Sequence, residues 1–211
     1  MKVGLLGHNG KMGKILTQKL QEKGCDVIFL SFDKKQLFSQ LQSCQVAMEF
    51  SSSSGLELLL ETASIPLVLA STGLEESLKE KIRQKSQKIP IFYSANYSLG
   101  MNTLIHLLKN SSLESSTASI SEIHHIHKKD APSGTALMIK EFLEIKEPIK
   151  STREGDVFGE HEIVYHLSGE KLIFKHVALG RDVFAEGAIA AVKWLVSQKQ
   201  GLYSMNDLLA L

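Results

Sequence analysis

The run EIHHIHKKDAPSGTAL, residues 122–137, holds three of the chain's eight histidines within four positions, together with two lysines and a Pro-Ser-Gly turn. Such residues move protons and hold anions, because imidazole titrates near neutrality and an ammonium group pairs with a carboxylate. On a regular strand, His125 and His127 share one face while His124 lies on the other with Glu122, so the three rings do not converge on one ligand. A zinc site would want further ligands on the same side, and no cysteine stands nearby, which argues against a metal. Downstream, Pro132 sets a turn, Ser133 is a good N-cap, and Gly134 and Thr135 open a helix whose N–H groups attract anions, carboxylates included. With Lys128 beside it, the segment reads as a claw for a small dianion. The same residues also fit a plain strand, a solvated basic turn and a capped helix with hydrogen-bonded histidines.

A second group lies near the start. GLLGHNGKMGKIL places Gly7, Gly10 and Gly13 between an apolar strand and a helix, the context of a dinucleotide-binding turn, although the spacing is G-x-x-G-x-x-G and His8 takes a position that is usually glycine. Asp33 follows Gly13 by twenty residues, where a carboxylate can accept hydrogen bonds from the adenosine ribose hydroxyls. Lys34 and Lys35 come next and could accommodate a 2'-phosphate, so the site suits NADH and NADPH alike. The plainer alternative is a strand-to-helix turn with Asp33 as a helix cap. Together the two groups describe a reducing site, in which hydride goes to carbon and an acid titrating near neutrality protonates what remains.

The elements that must position these residues follow from the apolar pattern. Runs at 2–6, 26–30, 45–50, 66–72 and 90–95 alternate with helical spacings such as Leu16/Leu20 and Leu74/Leu78/Ile82, which predicts a parallel sheet covered on both faces. After Asn96 the rhythm changes. A helix is expected from Leu99 to Lys109, then a serine-rich turn, then alternating strands at 118–126, 161–167 and 171–177 around a helix at 134–146: a mixed or antiparallel sheet with one helical layer. A last helix runs through AEGAIAAVKWLV with Gly201 beyond it. Trp194 and the methionines read as core, and His161, His166 and His176 as structural, half-buried imidazoles.

With 211 residues, 43% of them hydrophobic, the chain can bury a core without staples. A net charge of +1 without a basic stripe argues against nucleic acid as a partner. Cys25 and Cys44 have no C-x-x-C spacing, and no stretch is apolar enough for a signal peptide or a membrane span, which points to the cytoplasm.

The string EIHHIHKKDAPSGTA resembles the signature of the 4-hydroxy-tetrahydrodipicolinate reductase family, formerly dihydrodipicolinate reductase, of the diaminopimelate and lysine pathway. The resemblance extends to VGLLGHNGKMG, MEFSS, LASTG, SANYSLGMN and GLYSMNDLL, nearly end to end. It implies a Rossmann-like parallel-sheet dinucleotide-binding domain from 1–97 with 187–211, and an α+β substrate domain over 98–186 whose open mixed sheet builds a homotetramer. It implies NADH- or NADPH-dependent reduction of 4-hydroxy-tetrahydrodipicolinate to tetrahydrodipicolinate. His124 would be the proton donor and Lys128 a second acid or carboxylate partner; His125, Gly134 and Thr135 would bind the dicarboxylate. The cofactor would meet Gly7, His8, Asn9, Gly10, Lys11, Met12 and Asp33, then Ala70, Ser71 and Thr72, then Ser94, Ala95, Asn96 and Tyr97. The chain departs from the family at Glu49, where aspartate is usual, at Ala70, where the usual G-T-T begins with glycine, and in SSSSG at 51–55, which lacks the common proline and basic residue. Two other readings are a different nicotinamide-dependent reductase of a small carboxylate, which would need no HHxxK, and a nucleotide sensor, which would lose the acid residues.

Overall fold

An apolar run without alternation suits a strand covered on both faces, and the first half of the chain builds five parallel strands, of which the second, at the sheet edge, is only partly buried. This computed structural model describes residues 1–210, Ser115 by its backbone alone. In chain order the elements are β1 (Lys2–Leu6), α1 (Lys11–Glu22), β2 (Asp26–Phe29), α2 (Lys34–Leu41), β3 (Val46–Glu49), α3 (Ser53–Thr62), β4 (Leu67–Leu69), α4 (Glu76–Ser86) and β5 (Pro90–Tyr93). There follow α5 (Leu99–Lys109), β6 (Ala118–His124), α6 (Gly134–Phe142), β7 (Lys150–Arg153), β8 (Glu160–Leu167) and β9 (Glu170–Val177), and last α7 (Asp182–Leu195), β10 (Gly201–Tyr203) and α8 (Met205–Leu209). The chain divides into two units, one of Met1–Tyr97 with the stretch from Phe184 onward, the other of Ser98–Val183. Among the described residues no helix is long and apolar enough to cross a membrane.

The first unit holds a wholly parallel sheet in the order β10-β5-β4-β3-β1-β2. This is the Rossmann-like fold that the apolar rhythm and the resemblance led us to expect. On one face, Leu37, Leu56, Leu59, Leu78 and Ile82 of α2, α3 and α4 pack with Leu6, Ala47, Leu67, Leu69 and Ile91 of the strands. Alternation sends Val3, Leu5, Met48, Val68 and Phe92 to the other face, also buried, where Phe92 meets Trp194 of α7 edge-on with centroids 6.2 Å apart. Trp194 is only partly buried, whereas Met48, Met101 and Met205 are core. Gly187 lets α7 lie against the Tyr97 carbonyl, since a Cβ there would be 1.7 Å from that oxygen.

Short polar side chains set where the helices begin. Asp33, Ser52, Ser98 and Ser133 each accept from a first-turn N–H of α2, α3, α5 and α6. A cap contributes about 1 kcal/mol against about 1.5–3 kcal/mol for each buried leucine, so caps place the ends while packing holds the helices.

The second unit is a mixed sheet in the order β7-β6-β8-β9, with β7 parallel to β6 and the rest antiparallel. Met101, Ile105, Leu108, Ala136 and Ile139 of α5 and α6 cover one face over Ala118, Ile120, Ile163 and Tyr165. Two expected boundaries move. β6 stops at His124 because the next N–H groups bond to a loop, His125 to the Val157 carbonyl at 2.7 Å and Ile126 to that of Gly155 at 3.2 Å. The helix expected over 134–146 stops at Phe142, and Glu144 just beyond is left-handed, φ 58°.

Candidate active site

The covered face of β6 carries Ala118, Ile120, Glu122 and His124, all buried. The first two belong to the apolar core; the last two turn the same face ionic where the strand ends. Register sets Glu122 opposite His161 of β8 and beside Ser151 of β7, and His124 beside Arg153. The Glu122 carboxylate accepts from His124 Nδ1 at 2.5 Å, from both terminal nitrogens of Arg153 at 2.9 Å, and from the Ser133 N–H at 3.2 Å. Ser133 Oγ takes the Ala136 N–H and lies 3.2 Å from His161 Nε2, so the start of α6 is pinned onto this cluster.

Burial alone would raise the Glu122 carboxyl, but the hydrogen bonds from Arg153 and His124 outweigh it and bring it down to about 2. His124 is held below its ordinary value by burial; Glu122 pulls it up, and Lys128 and Arg153 push it down. His161 is buried most deeply of the rings here, and burial, then the charges of His124 and His176, bring it to about 3. At neutral pH the cluster therefore contains an ionised carboxylate and a neutral His161. His161 is not the half-buried imidazole of the sequence reading: it is 4% exposed and meets His124 edge-on, with centroids 5.2 Å apart.

Lys128 Nζ pairs with Asp130 Oδ1 at 2.8 Å. Burial would raise Asp130, yet the Lys128 hydrogen bond and the backbone N–H groups of Asp130 and Gly134 hold its carboxyl below the usual range. A carboxylate of the chain itself thus sits between Lys128 and the first turn of α6. Gly134 is exposed and Thr135 half-buried in that turn. His125 and His127 lie beyond the strand with centroids 6.2 Å apart, and His125 Nδ1 is buried without a partner among the described residues.

In the parallel-sheet unit, Gly7 has φ 95°, and a Cβ on it would lie 2.3 Å from the Phe50 carbonyl oxygen; a Cβ on Gly13 would lie 2.2 Å from that of Gly7. Close backbone approach therefore demands both glycines. Gly10 is the N-cap of α1 and brings no side-chain cap, so the amides at Lys11 and Met12 face outward at a helix N-terminus. This cradle fits the pyrophosphate of a dinucleotide. Asn9 is exposed beside it, and His8 stacks on Phe29 at 4.5 Å.

Asp33 is indeed a helix cap, its Oδ1 taking the Gln36 N–H at 2.9 Å, which leaves Oδ2 uncommitted among the described residues. Lys34 pairs with Glu61 at 2.8 Å. Met12, Ala70, Ser71 and Thr72 line one pocket of about 350 Å³ with Phe50 and Ser51–Ser53, which were not among the expected residues. The fully buried Glu49 ties two of its loops together, accepting from Ser51 N and Oγ at 2.6 and 2.8 Å and from Ser71 N at 3.1 Å. After β5, Ala95 is exposed and Asn96 buried; Ser94 Oγ donates to the Asn96 carbonyl, and the buried Tyr97 donates to that of Leu69, each at 2.7 Å.

Residues 1–97 match the family "Dihydrodipicolinate reductase, N-terminus" and residues 100–209 match "Dihydrodipicolinate reductase, C-terminus". The chain belongs to the dihydrodipicolinate reductase family. A 4-hydroxy-tetrahydrodipicolinate reductase of Bdellovibrio bacteriovorus is 37% identical over 220 residues, covering 99% of this chain and 96% of that one. One of Caldanaerobacter subterraneus is 36% identical over 239 residues, covering 96% and 95%. A solved dihydrodipicolinate reductase from Paenisporosarcina sp. TG-14, with dipicolinate bound, shares the fold at a TM-score of 0.75 and 18% identity, covering 97% of each chain. The family and its fold are of the dinucleotide-binding oxidoreductase type.

Of the residues in the β6 cluster, Glu122 had a visible signal, since E-x-H on a strand is a same-face pair. Arg153 had none. It lies thirty-one residues from Glu122 on a short polar strand.

Proposed function

We propose that this chain reduces 4-hydroxy-tetrahydrodipicolinate to tetrahydrodipicolinate in diaminopimelate and lysine biosynthesis, the parallel-sheet unit binding a reduced nicotinamide dinucleotide and the mixed-sheet unit the dicarboxylate. The observation that carries the reading is the buried Glu122–His124 pair beside the N-terminus of α6 and Lys128, in a chain of this family. The cofactor, when bound, supplies the hydride. Its pyrophosphate would rest on Gly7–Met12, its ribose on Asp33, and its nicotinamide side on Ala70–Thr72 and Ser94–Tyr97. Lys128 and the N–H groups at Gly134 and Thr135 take a substrate carboxylate and hold the ring in register, with His125 as a further contact, where misplacement is costly in rate. His124 gives a proton to the electron-rich ring left by hydride addition.

Both NADH and NADPH are expected to serve. Asp33 keeps one oxygen for ribose hydroxyls, while Lys35 has no ion pair among the described residues and Lys34 only an exposed one. A homotetramer through the open sheet face suits the exposed Ile173 and Val177 of β9, 60% and 42% exposed. A cytoplasmic setting suits two free, buried thiols.

The test is a coupled assay that generates 4-hydroxy-tetrahydrodipicolinate enzymically and follows nicotinamide absorbance, with NADH and NADPH in parallel. Protein-dependent oxidation supports the reading; none with either cofactor, from folded protein that binds them, refutes it. The same assay tests Asp130, whose carboxylate competes with the substrate for Lys128. Asp130→Asn is expected to lower KM by about two- to fivefold, the scale of an exposed ion pair, and a raised KM would make Asp130 part of the binding site instead.

A further inference from the structure

We propose that Glu122 and Gly159 together select the nitrogen of His124 that delivers the proton: Glu122 holds Nδ1, and Gly159 leaves Nε2 open. The inference rests on the reading of His124 as proton donor.

An ionised carboxylate only accepts hydrogen bonds. Glu122 lies 2.5 Å from Nδ1 and is fixed in turn by the fork of Arg153 and by the Ser133 N–H. Nδ1 must therefore carry a hydrogen. A neutral imidazole has one N–H, so the second, transferable proton belongs to Nε2. Nε2 makes no hydrogen bond among the described residues, and the His124 side chain keeps 9% of its surface exposed.

The residue beside Nε2 is Gly159. A Cβ on it would lie 2.9 Å from Nε2 and 3.3 Å from Cδ2. Its backbone does not need glycine, since its φ is outside the left-handed region, and its carbonyl is tied to the Ala178 N–H at 2.9 Å. What glycine contributes at this position is room at one nitrogen. With Glu122 on one edge and His161 edge-on at 5.2 Å, the ring has little freedom to turn away from an added methyl. Glu122 is thus a positioning residue, acting through His124, and Gly159 is a gap with a function.

The charged and titratable groups facing His124 are Glu122, Arg153, His161 and Lys128, and among them Glu122 alone favours the imidazolium. Removing its charge moves the loss of the proton-donating form to lower pH.

The experiment combines long-range nitrogen–proton NMR of the His124 ring with steady-state kinetics of the full-length wild type, Glu122→Gln and Gly159→Ala. In the wild type, neutral His124 is expected as the Nδ1–H tautomer. Glu122→Gln, whose amide can donate to the ring, is expected to shift it toward Nε2–H, to lower kcat about 10²-fold with KM within about threefold, and to move the basic limb of the kcat profile to lower pH. Gly159→Ala is expected to keep the Nδ1–H signature and still lower kcat by about 10- to 10²-fold. An Nε2–H tautomer in the wild type, or full kcat in either variant, overturns the inference. Should Glu122→Gln fail to fold around Arg153, the wild-type tautomer and Gly159→Ala still decide. The tautomer is read without turnover, so a correct tautomer with a fully active His124→Gln would sink the donor reading, whereas a wrong tautomer with an inactive one would sink only this inference.

Discussion

Replacing His124 with glutamine is expected to lower kcat by about 10²- to 10⁴-fold, the usual contribution of a positioned acid, with KM changed by no more than about threefold. Glutamine can still hydrogen-bond to Glu122 and fill the space, but it has no proton to give. The substrate's carboxylates are assigned to other groups, chiefly Lys128 and the start of α6, so binding should survive. Lys128→Ala provides the contrast: loss of the ammonium should lower kcat and raise KM together, because it removes a contact made before and during the reaction. Steady-state kinetics of the two variants side by side separate the roles. Unchanged turnover in His124→Gln would remove it as the acid and leave Lys128 as the candidate.

Arg153→Ala is expected to cost about 3–5 kcal/mol of folding stability at pH 7, because it leaves Glu122 charged, buried and without its main partner. The Glu122 side chain has no exposed surface, and both its oxygens face the guanidinium fork. The pH dependence checks the cause. In the wild type the carboxyl is lowered from 4.5 to about 2, so its contribution is fully present above about 4.5 and is lost as pH falls toward 2. Without the guanidinium, burial raises the folded value, so the variant pays its penalty at neutral pH and sheds it in acid. Denaturant unfolding at pH 7 and pH 4 should therefore show the two proteins drawing closer at the lower pH. A gap independent of pH would assign the loss to packing rather than to the charge. His161, neutral when folded and lowered from 6.5 to about 3, makes both proteins less stable below about 6.5 and so does not disturb the comparison.

Much of this was legible in the residue order because burial leaves a periodic trace. The five parallel strands showed as unbroken apolar runs, and β6, β8 and β9 as alternation, since one face meets helices and the other does not. Ser133 announced its helix through cap chemistry. β7 and β10 left no such trace: KSTR is polar and GLY is three residues long, and each is a strand only because an edge of a sheet offers it hydrogen bonds. The site divided the same way. The shared face of Glu122 and His124 follows from period two, and the structure keeps the strand regular as far as His124, where β6 ends, and directs that face beneath the helices. Arg153, His161 and Gly159 could not be read, because what brings them to His124 is the register of β6 with β7 and β8 and the turn before β8, and register is not written in any one segment.

The parallel-sheet unit is assembled from both ends of the described chain, with the mixed-sheet unit lying between them in sequence. On the ribosome, residues 98–183 emerge and can fold while the earlier unit still lacks α7 and β10, the helix that covers Phe92 and the strand that protects the edge of β5. The unit synthesised first is therefore completed last, and a nascent chain stalled after residue 183 would already contain every residue of the Glu122–His124 cluster while its parallel sheet was still open-edged and half-covered.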